Sequence, residues 1–236
     1  MTGFPSLGGF NFMALGVDQN NVIYASTNND GIYKSVDEGV SWVQLQDFGG
    51  GCGPMDILFG TNFSQVDGDN YAGYNKTGLN MGGIMYARLD ADLALSMELL
   101  FSQKGAFGKN PILSTDGNFS IYDYKIKLNY AEIPIMLNYF DRRKSHFGAG
   151  LSYSQLVSSN ETFQSDKIYP TSLDAYPFKK TDLNFLLSGN LHLTKGFFLN
   201  IRFQYSMFPI RTELPPGLSR REQFSNMWVM RLMYLF

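Results

Sequence analysis

Four charged residues lie inside stretches whose side chains alternate between apolar and polar types. They are Glu98, Glu132, Arg202 and Arg231. Successive side chains of a β-strand point to opposite faces, so each charge shares one face with small or amide side chains and lies opposite an apolar row. Buried charges are costly unless they are paired and hydrogen-bonded. The pattern therefore predicts a polar network that fills the centre of a barrel, with a gated polar path or a small-ligand site as the alternative.

No residue set typical of catalysis or of a bound cofactor accompanies this pattern. The sequence contains no Ser-His-Asp arrangement, no G-x-S-x-G turn and no phosphate-binding loop. His146 and His192 are the only histidines, and neither has further ligands at metal-binding spacing. The net charge of −2 gives no electrostatic reason to expect nucleic acid. We therefore expect a non-enzymatic protein without a cofactor, a metal ion or a nucleic-acid partner.

The elements that must position these charges are clearest at the end of the chain, over residues 224–236. Every second side chain there is apolar or aromatic, apart from one asparagine: Phe224, Asn226, Trp228, Met230, Leu232, Tyr234 and Phe236. Outer-membrane barrels present such faces to lipid and collect aromatic residues at the membrane interfaces. Tyr234 and Phe236 also resemble the C-terminal signal that the outer-membrane assembly machinery recognises.

The same alternation recurs seven times before this final strand. We predict strands over residues 55–65, 77–89, 93–103, 122–139, 146–157, 182–193, 197–208 and 224–236. Within 122–139, the apolar residues change from even to odd positions, and Pro134 cannot donate to a ladder. We therefore expect a β-bulge near residues 129–130.

The predicted connections alternate between long polar loops and short turns, which is typical of a barrel with short periplasmic turns and long outer loops. Charged residues make up 17% of the chain, below the roughly 25% of soluble domains. In a soluble barrel, residues 197–208 would bury Arg202 and Gln204 while exposing Ile201 to water, which is unfavourable. The sequence thus predicts an all-β protein with an eight-stranded antiparallel transmembrane β-barrel in the outer membrane, surrounded by lipid. The long loops contain aromatic residues that we expect to be exposed, forming a partner surface, covering the barrel mouth or lying at the membrane interface: Phe107, Phe119, Phe163, Tyr169, Tyr176 and Phe178.

Residues 1–53 differ from the rest, because short strand patterns there are separated by Asn, Asp and Gly turns. One turn reads S-x-D-x-G-x-x-W, with Ser35, Asp37, Gly39 and Trp42 at the fixed positions. This motif resembles the Asp-box of sialidase-type β-propeller blades, in which the aspartate caps the turn and the glycine takes a positive φ. We expect a structural β-hairpin segment over residues 1–53, ending in a Gly-rich linker, followed by the barrel over 54–236.

From about residue 56 to residue 236, the chain resembles the PorT-like family of small outer-membrane barrels. The resemblance is carried by Gly-Thr-Asn-Phe-Ser at 60–64, Glu-Leu-Leu-Phe-Ser-Gln-Lys-Gly at 98–105, Tyr-Ala-Glu-Ile-Pro at 130–134 and the closing Tyr-x-Phe. It implies the barrel fold and the outer membrane, and some relatives are linked to type IX secretion.

We expect a structural or interaction component, accessory to a secretion or surface-protein complex, that contacts a protein partner through its long loops or residues 1–53. The alternative is a barrel that binds or transports a small ligand or lipid through its lumen or outer loops.

Overall fold

The computed structural model describes residues 12–17, 20–27, 31–46, 56–69, 71–90, 92–108, 111–143, 145–167, 173–194 and 196–234. These residues form two antiparallel sheets, one of four strands and one of nine. The expected Gly-rich linker and Phe236 lie outside the described residues. Across the described residues, no helix is long and apolar enough to cross a bilayer.

The small sheet is a meander in which each strand pairs with the next in the chain. Its strands are β1 (Phe12–Val17), β2 (Ile23–Thr27), β3 (Gly31–Ser35) and β4 (Val43–Gln46). Ala25 and Tyr33 are buried on it, whereas Val43 and Leu45 are exposed. The expected hairpin at this end of the chain is thus part of a four-stranded unit.

The large sheet is an eight-stranded barrel, because its ninth strand, β8 (Ile112–Leu113), pairs only with β9. The barrel strands are β5 (Asp56–Asp69), β6 (Lys76–Arg88), β7 (Leu93–Gly108), β9 (Ser120–Phe140), β10 (His146–Ser165), β11 (Thr181–Thr194), β12 (Phe197–Ser206) and β13 (Ser219–Tyr234). β13 pairs with β5, and β9 pairs with β10, so the antiparallel ladder is closed. The predicted all-β, eight-stranded barrel is confirmed.

The apolar rows of the barrel point outward, and the polar rows point inward. Ile201 is 48% exposed, whereas Arg202 and Gln204 are 2% and 1% exposed. The outward row around the barrel includes Phe59, Met97, Leu99, Ile135, Leu137, Leu151, Leu187, Trp228, Met230 and Leu232. This apolar band has the arrangement of a barrel surrounded by lipid.

At the end of the barrel with long loops, five strands continue beyond this band. β5, β7 and β10 extend past their predicted ends, to Asp69, Gly108 and Ser165. β9 and β13 begin before their predicted starts, at Ser120 and Ser219. The inward side chains become apolar there, as Tyr124, Ile126 and Leu128 are at most 1% exposed. This part of the barrel is therefore organised like a soluble domain, with its apolar residues inside.

The bulge predicted near residues 129–130 of β9 is not there. β9 keeps its even-numbered side chains inward from Tyr124 to Asn138. The irregularity lies in the partner strand, where Leu156 pairs with Tyr130 and Ser158 pairs with Asn129, leaving Val157 unpaired. The side chains of β9 keep their alternating directions along the strand. The apolar residues change from one face to the other because the surroundings of the two faces change.

Candidate functional site

The four charges singled out from the sequence lie on four strands and point into the lumen. Glu98 is on β7, Glu132 on β9, Arg202 on β12 and Arg231 on β13, each at most 2% exposed. Glu98 contacts both arginines, whereas Glu132 belongs to a second cluster nearer the long loops. Arg88, which shares the inward parity of β6, is exposed and lies 5.4 Å from the centre of the Phe140 ring.

The first cluster joins β7 to strands on the opposite side of the barrel. Nη1 of Arg202 donates to Oε2 of Glu98 at 2.9 Å, and its Nη2 donates to Oε1. Arg231 donates from Nη1 to the same Oε2 at 3.0 Å. Two amides complete the cluster, since Arg231 also donates to Asn200 at 2.9 Å and to Asn80 at 3.2 Å. One carboxylate thus holds two guanidinium groups, and the hydrogen bonds cross the lumen.

The second cluster is built around Lys104, which the predicted strand boundaries had placed in a loop. Its Nζ lies 2.5 Å from Oε1 of Glu132 and 3.9 Å from Oδ2 of Asp182. Glu132 also accepts hydrogen bonds from Ser154 at 3.1 Å and from Gln204 at 3.2 Å. Lys104 has the same inward parity as Glu98, so extending the alternation of β7 by one residue would have found it.

Apolar layers lie on either side of these two clusters. Towards the short turns, Leu58, Ile84, Leu100, Phe198 and Met233 pack together. Beside them, the hydroxyl of Tyr86 is 3.0 Å from Nε2 of His146, whose ring stacks on Phe140. The lumen therefore changes from apolar to charged to apolar along its length, and a charged solute would have to displace both kinds of layer.

The layer at the long-loop end is a core of side chains from strands and loops together. Strand residues Val66, Ala106, Ile121, Tyr124, Ile126, Leu128 and Tyr130 pack with loop residues Phe178, Ile210 and Leu218. Phe178 is 7% exposed, and Phe119 and Phe163 pack against this core. These three aromatic residues are buried or half-buried and help to cover the barrel mouth, which was one of the alternatives stated for them, and they are not fully exposed as expected. Tyr169 lies outside the described residues.

A buried ion pair holds the loops to this core. Nη2 of Arg211 lies 2.8 Å from Oε2 of Glu161, and the hydroxyl of Tyr124 donates to Oε1 of the same carboxylate at 2.6 Å. Arg211 also donates to the carbonyl of Tyr176 and lies 4.2 Å from the centre of the Phe178 ring. One guanidinium group thus connects β10, the loop before β11 and the loop after β12.

The turn between β3 and β4 is tied together by its own side chains. Asp37 accepts hydrogen bonds from the backbone N–H of Ser41 at 2.8 Å and from the hydroxyl of Ser35 at 2.8 Å. The hydrogen bond from the Ser41 hydroxyl is the main cause that lowers the pKa of Asp37 to about 2. Gly39 has a φ of 87°, and its carbonyl accepts a hydrogen bond from Nε1 of Trp42 at 3.0 Å. Each of the four motif residues therefore has a role in shaping the turn.

A family profile described as "Outer membrane protein beta-barrel domain" matches residues 55–211. The chain belongs to this family of outer-membrane β-barrel proteins. The match starts next to the first barrel strand, β5, and includes both charged clusters except Arg231.

Solved outer-membrane barrels are also similar to this chain. Ail, the attachment invasion locus protein of Yersinia pestis, is 13% identical, with 77% of this chain and 97% of Ail covered and a TM-score of 0.40. Outer membrane protein AlkL, solved in DMPC bilayers, is 15% identical over 77% of this chain and 90% of AlkL, with a TM-score of 0.35. No match was found among curated proteins.

As a member of this family, the barrel lies in the bacterial outer membrane. Outer-membrane barrels turn tightly on the periplasmic side and have long loops outside. The turns after β6, β9 and β11 therefore face the periplasm, and the apolar core under the long loops faces the cell exterior. Tyr234 is at the periplasmic end of β13, where its ring lies 4.8 Å from that of Phe197.

Proposed function

We propose that this barrel is a non-enzymatic structural or interaction component, in which a filled lumen anchors surfaces that contact other molecules. The observation that carries the proposal is the Glu98 cluster, in which one carboxylate binds Arg202 and Arg231 across the lumen. An eight-stranded barrel has an interior just wide enough for its side chains to fill. Paired charges between apolar layers favour a closed lumen over a conducting one.

The PorT-like resemblance extends this proposal to a role as an accessory of a secretion or surface-protein complex, type IX secretion included. It rests on the Glu-Leu-Leu-Phe-Ser-Gln-Lys-Gly and Glu-Ile-Pro sequences. The first contains Glu98 and Lys104, and the second begins at Glu132, so the matching sequences include charged residues of both lumen clusters. This coincidence supports a shared interior architecture.

We further propose that residues 1–53 and 54–236 are separate units, and that the first is Asp-box-like and contributes to partner binding. Gly39 with its positive φ and the capping by Asp37 support the Asp-box assignment. The partner surface would then be either this four-stranded sheet or the long loops.

The alternative function is binding or transport of a small ligand or lipid. It is favoured by polar lumen atoms that have no hydrogen-bond partner among the described residues, namely Oε2 of Glu132, Oε1 of Gln204 and Oδ1 of Asn62. Such atoms offer acceptors to a small polar ligand.

Native co-purification followed by mass spectrometry separates these functions. The structural proposal expects a stoichiometric protein partner, which is lost either when residues 1–53 are deleted or when a loop is replaced. It also expects no single-channel current in planar bilayers. A bound small molecule without a protein partner, or a steady current, would favour the alternative.

A further inference from the structure

The outer surface of the barrel carries lysines just above the lipid-facing band. Lys125 and Lys127 lie on β9, two residues apart and on the outward face. Lys127 is exposed, and Nζ of Lys125 lies 5.4 Å from the centre of the Phe107 ring. Neither lysine forms an ion pair with any residue that the structure describes. Their charge is therefore available to a partner outside the barrel.

The two lysines outnumber the acidic residues on the outward face of this part of β9. The carboxylate nearest in sequence, Asp123, lies two residues before Lys125 on the same strand, and one of its oxygens is buried. Lys76, at the external end of β6, pairs with the inward-facing Ser64 and does not belong to this outward face. The patch of Lys125 and Lys127 thus has an excess of positive charge.

Hydroxyl and amide side chains flank the two lysines of β9 on the neighbouring strand. Thr162 and Asn160 of β10 pair with Lys125 and Lys127, and Ser158 pairs with Asn129. Nδ2 of Asn129 donates to the hydroxyl of Ser158 at 2.8 Å. All three β10 side chains are exposed, so ammonium donors and neutral hydrogen-bonding groups lie side by side on one surface.

The position of the patch along the membrane normal indicates which part of the membrane it would contact. On β9, Ala131 and Ile133 are the last outward residues of the lipid-facing band, and Lys127 is four residues beyond Ala131. Four residues of a strand tilted by roughly 40° rise about 10 Å along the membrane normal. This distance places the ammonium groups outside the hydrocarbon, at the level of lipid headgroups.

We propose that Lys125 and Lys127 bind the phosphorylated saccharide headgroup of the glycolipid that forms the outer leaflet of the outer membrane. Lysine binds phosphate as a compact point charge. The β10 row of Ser158, Asn160 and Thr162 offers hydrogen bonds to the hydroxyl and amide groups of a saccharide, which an anionic phospholipid headgroup has in smaller number or not at all. The proposal rests on the outer-membrane location and on the external position of the long loops. It does not depend on whether the lumen conducts.

The test uses the full chain in phosphatidylcholine nanodiscs that contain bisphosphorylated lipid A, lipid A without phosphates, or phosphatidylglycerol. Native mass spectrometry and a lipid titration measure how much added lipid is retained. We expect the bisphosphorylated form to bind best. The K125Q/K127Q variant should bind it at least tenfold more weakly, since each lysine near an anionic surface adds about fivefold in affinity.

The matched control is K179Q/K180Q, which removes two exposed lysines from the loop before β11. It should bind like the wild type, and the same heat-dependent gel mobility for all variants would show that each barrel is folded. Equal retention by the wild type and the K125Q/K127Q variant would overturn the proposal. So would equal binding of phosphate-free lipid A, or phosphatidylglycerol bound as tightly as bisphosphorylated lipid A.

Discussion

Glu98 is bound by two arginines that come from adjacent strands, while Glu98 itself comes from the far side of the barrel. Removing one partner of a buried ion pair leaves the other charge with too few partners. The free-energy cost of this loss is larger than the stability that the intact pair provides relative to apolar side chains in its place. The stability of this cluster therefore depends on all its members being present. The loss of one guanidinium group should weaken the contacts between the two sides of the lumen.

Arg202→Leu should lower the free energy of unfolding by about 3–5 kcal/mol, because Glu98 keeps only Arg231 as an ionic partner. The conductance of reconstituted protein should stay at the wild-type level. Urea-induced unfolding in phosphatidylcholine vesicles, followed by tryptophan fluorescence, measures the first quantity, and planar bilayers measure the second.

Arg221→Leu is the control for this variant, since Arg221 is an exposed residue of β13. Its unfolding free energy should stay within about 0.5 kcal/mol of the wild type. A clear single-channel current in the wild type that disappears in Arg202→Leu would identify the lumen as a path and contradict the interpretation of a filled interior.

At the scale of the strands, alternation was enough to predict the barrel where it crosses the membrane. One face meets lipid and the other meets the lumen, so a two-residue period appears directly in the sequence. Residues 197–208 are the clearest case, with Ile201 outward and Arg202 inward as expected.

The alternation rule gave wrong predictions for the parts of the strands outside the membrane, because the outward face there is in contact with water. On β9 the inward face is polar at Glu132 but apolar at Ile126 and Leu128, although the strand does not change face. The prediction treated apolar side chains as outward-facing along the whole strand. It therefore placed a bulge in β9 that the structure does not have, and it ended β7 before Lys104. The loop contacts of Arg211 are non-local and have no sequence period, so alternation could not predict them.

Ile126→Asp should destabilise the external core while the membrane-spanning part remains folded. The Ile126 side chain is fully buried among apolar residues, and an unpaired carboxylate there should cost about 4 kcal/mol or more. Limited proteolysis should therefore cut the loops of the variant faster than those of the wild type, while heat-dependent gel mobility is unchanged.

Tyr122→Asp, on the same strand at an exposed position, should be cut at the wild-type rate. If Ile126→Asp were as resistant as this control, the loops would not depend on the core beneath them. If it lost the barrel as well, the two parts would unfold as one.

The whole molecule combines three environments in one chain. The central band of the barrel is surrounded by lipid, and its external extension is surrounded by water. The third part of the chain is the four-stranded sheet, which precedes β5. β5 begins at Asp56, at the end of the barrel with short turns, and Gln46 is the last residue of β4. Ten peptide steps at about 3.5 Å each reach at most about 35 Å. This length hardly exceeds the roughly 30 Å of a hydrocarbon core. We therefore expect the small sheet to lie on the periplasmic side of the membrane, opposite the lysine patch.

This arrangement predicts the accessibility of the small sheet in cells. A protease added to intact cells should leave β1–β4 uncut, and cleavage should begin once the outer membrane is permeabilised. An epitope inserted at the exposed Asp174, in the loop before β11, should be cut in intact cells and serves as the control. Immunoblots against tags at residue 20 and at residue 174 measure both. Cleavage of β1–β4 in intact cells would place the sheet outside and would reverse the orientation on which the glycolipid proposal depends.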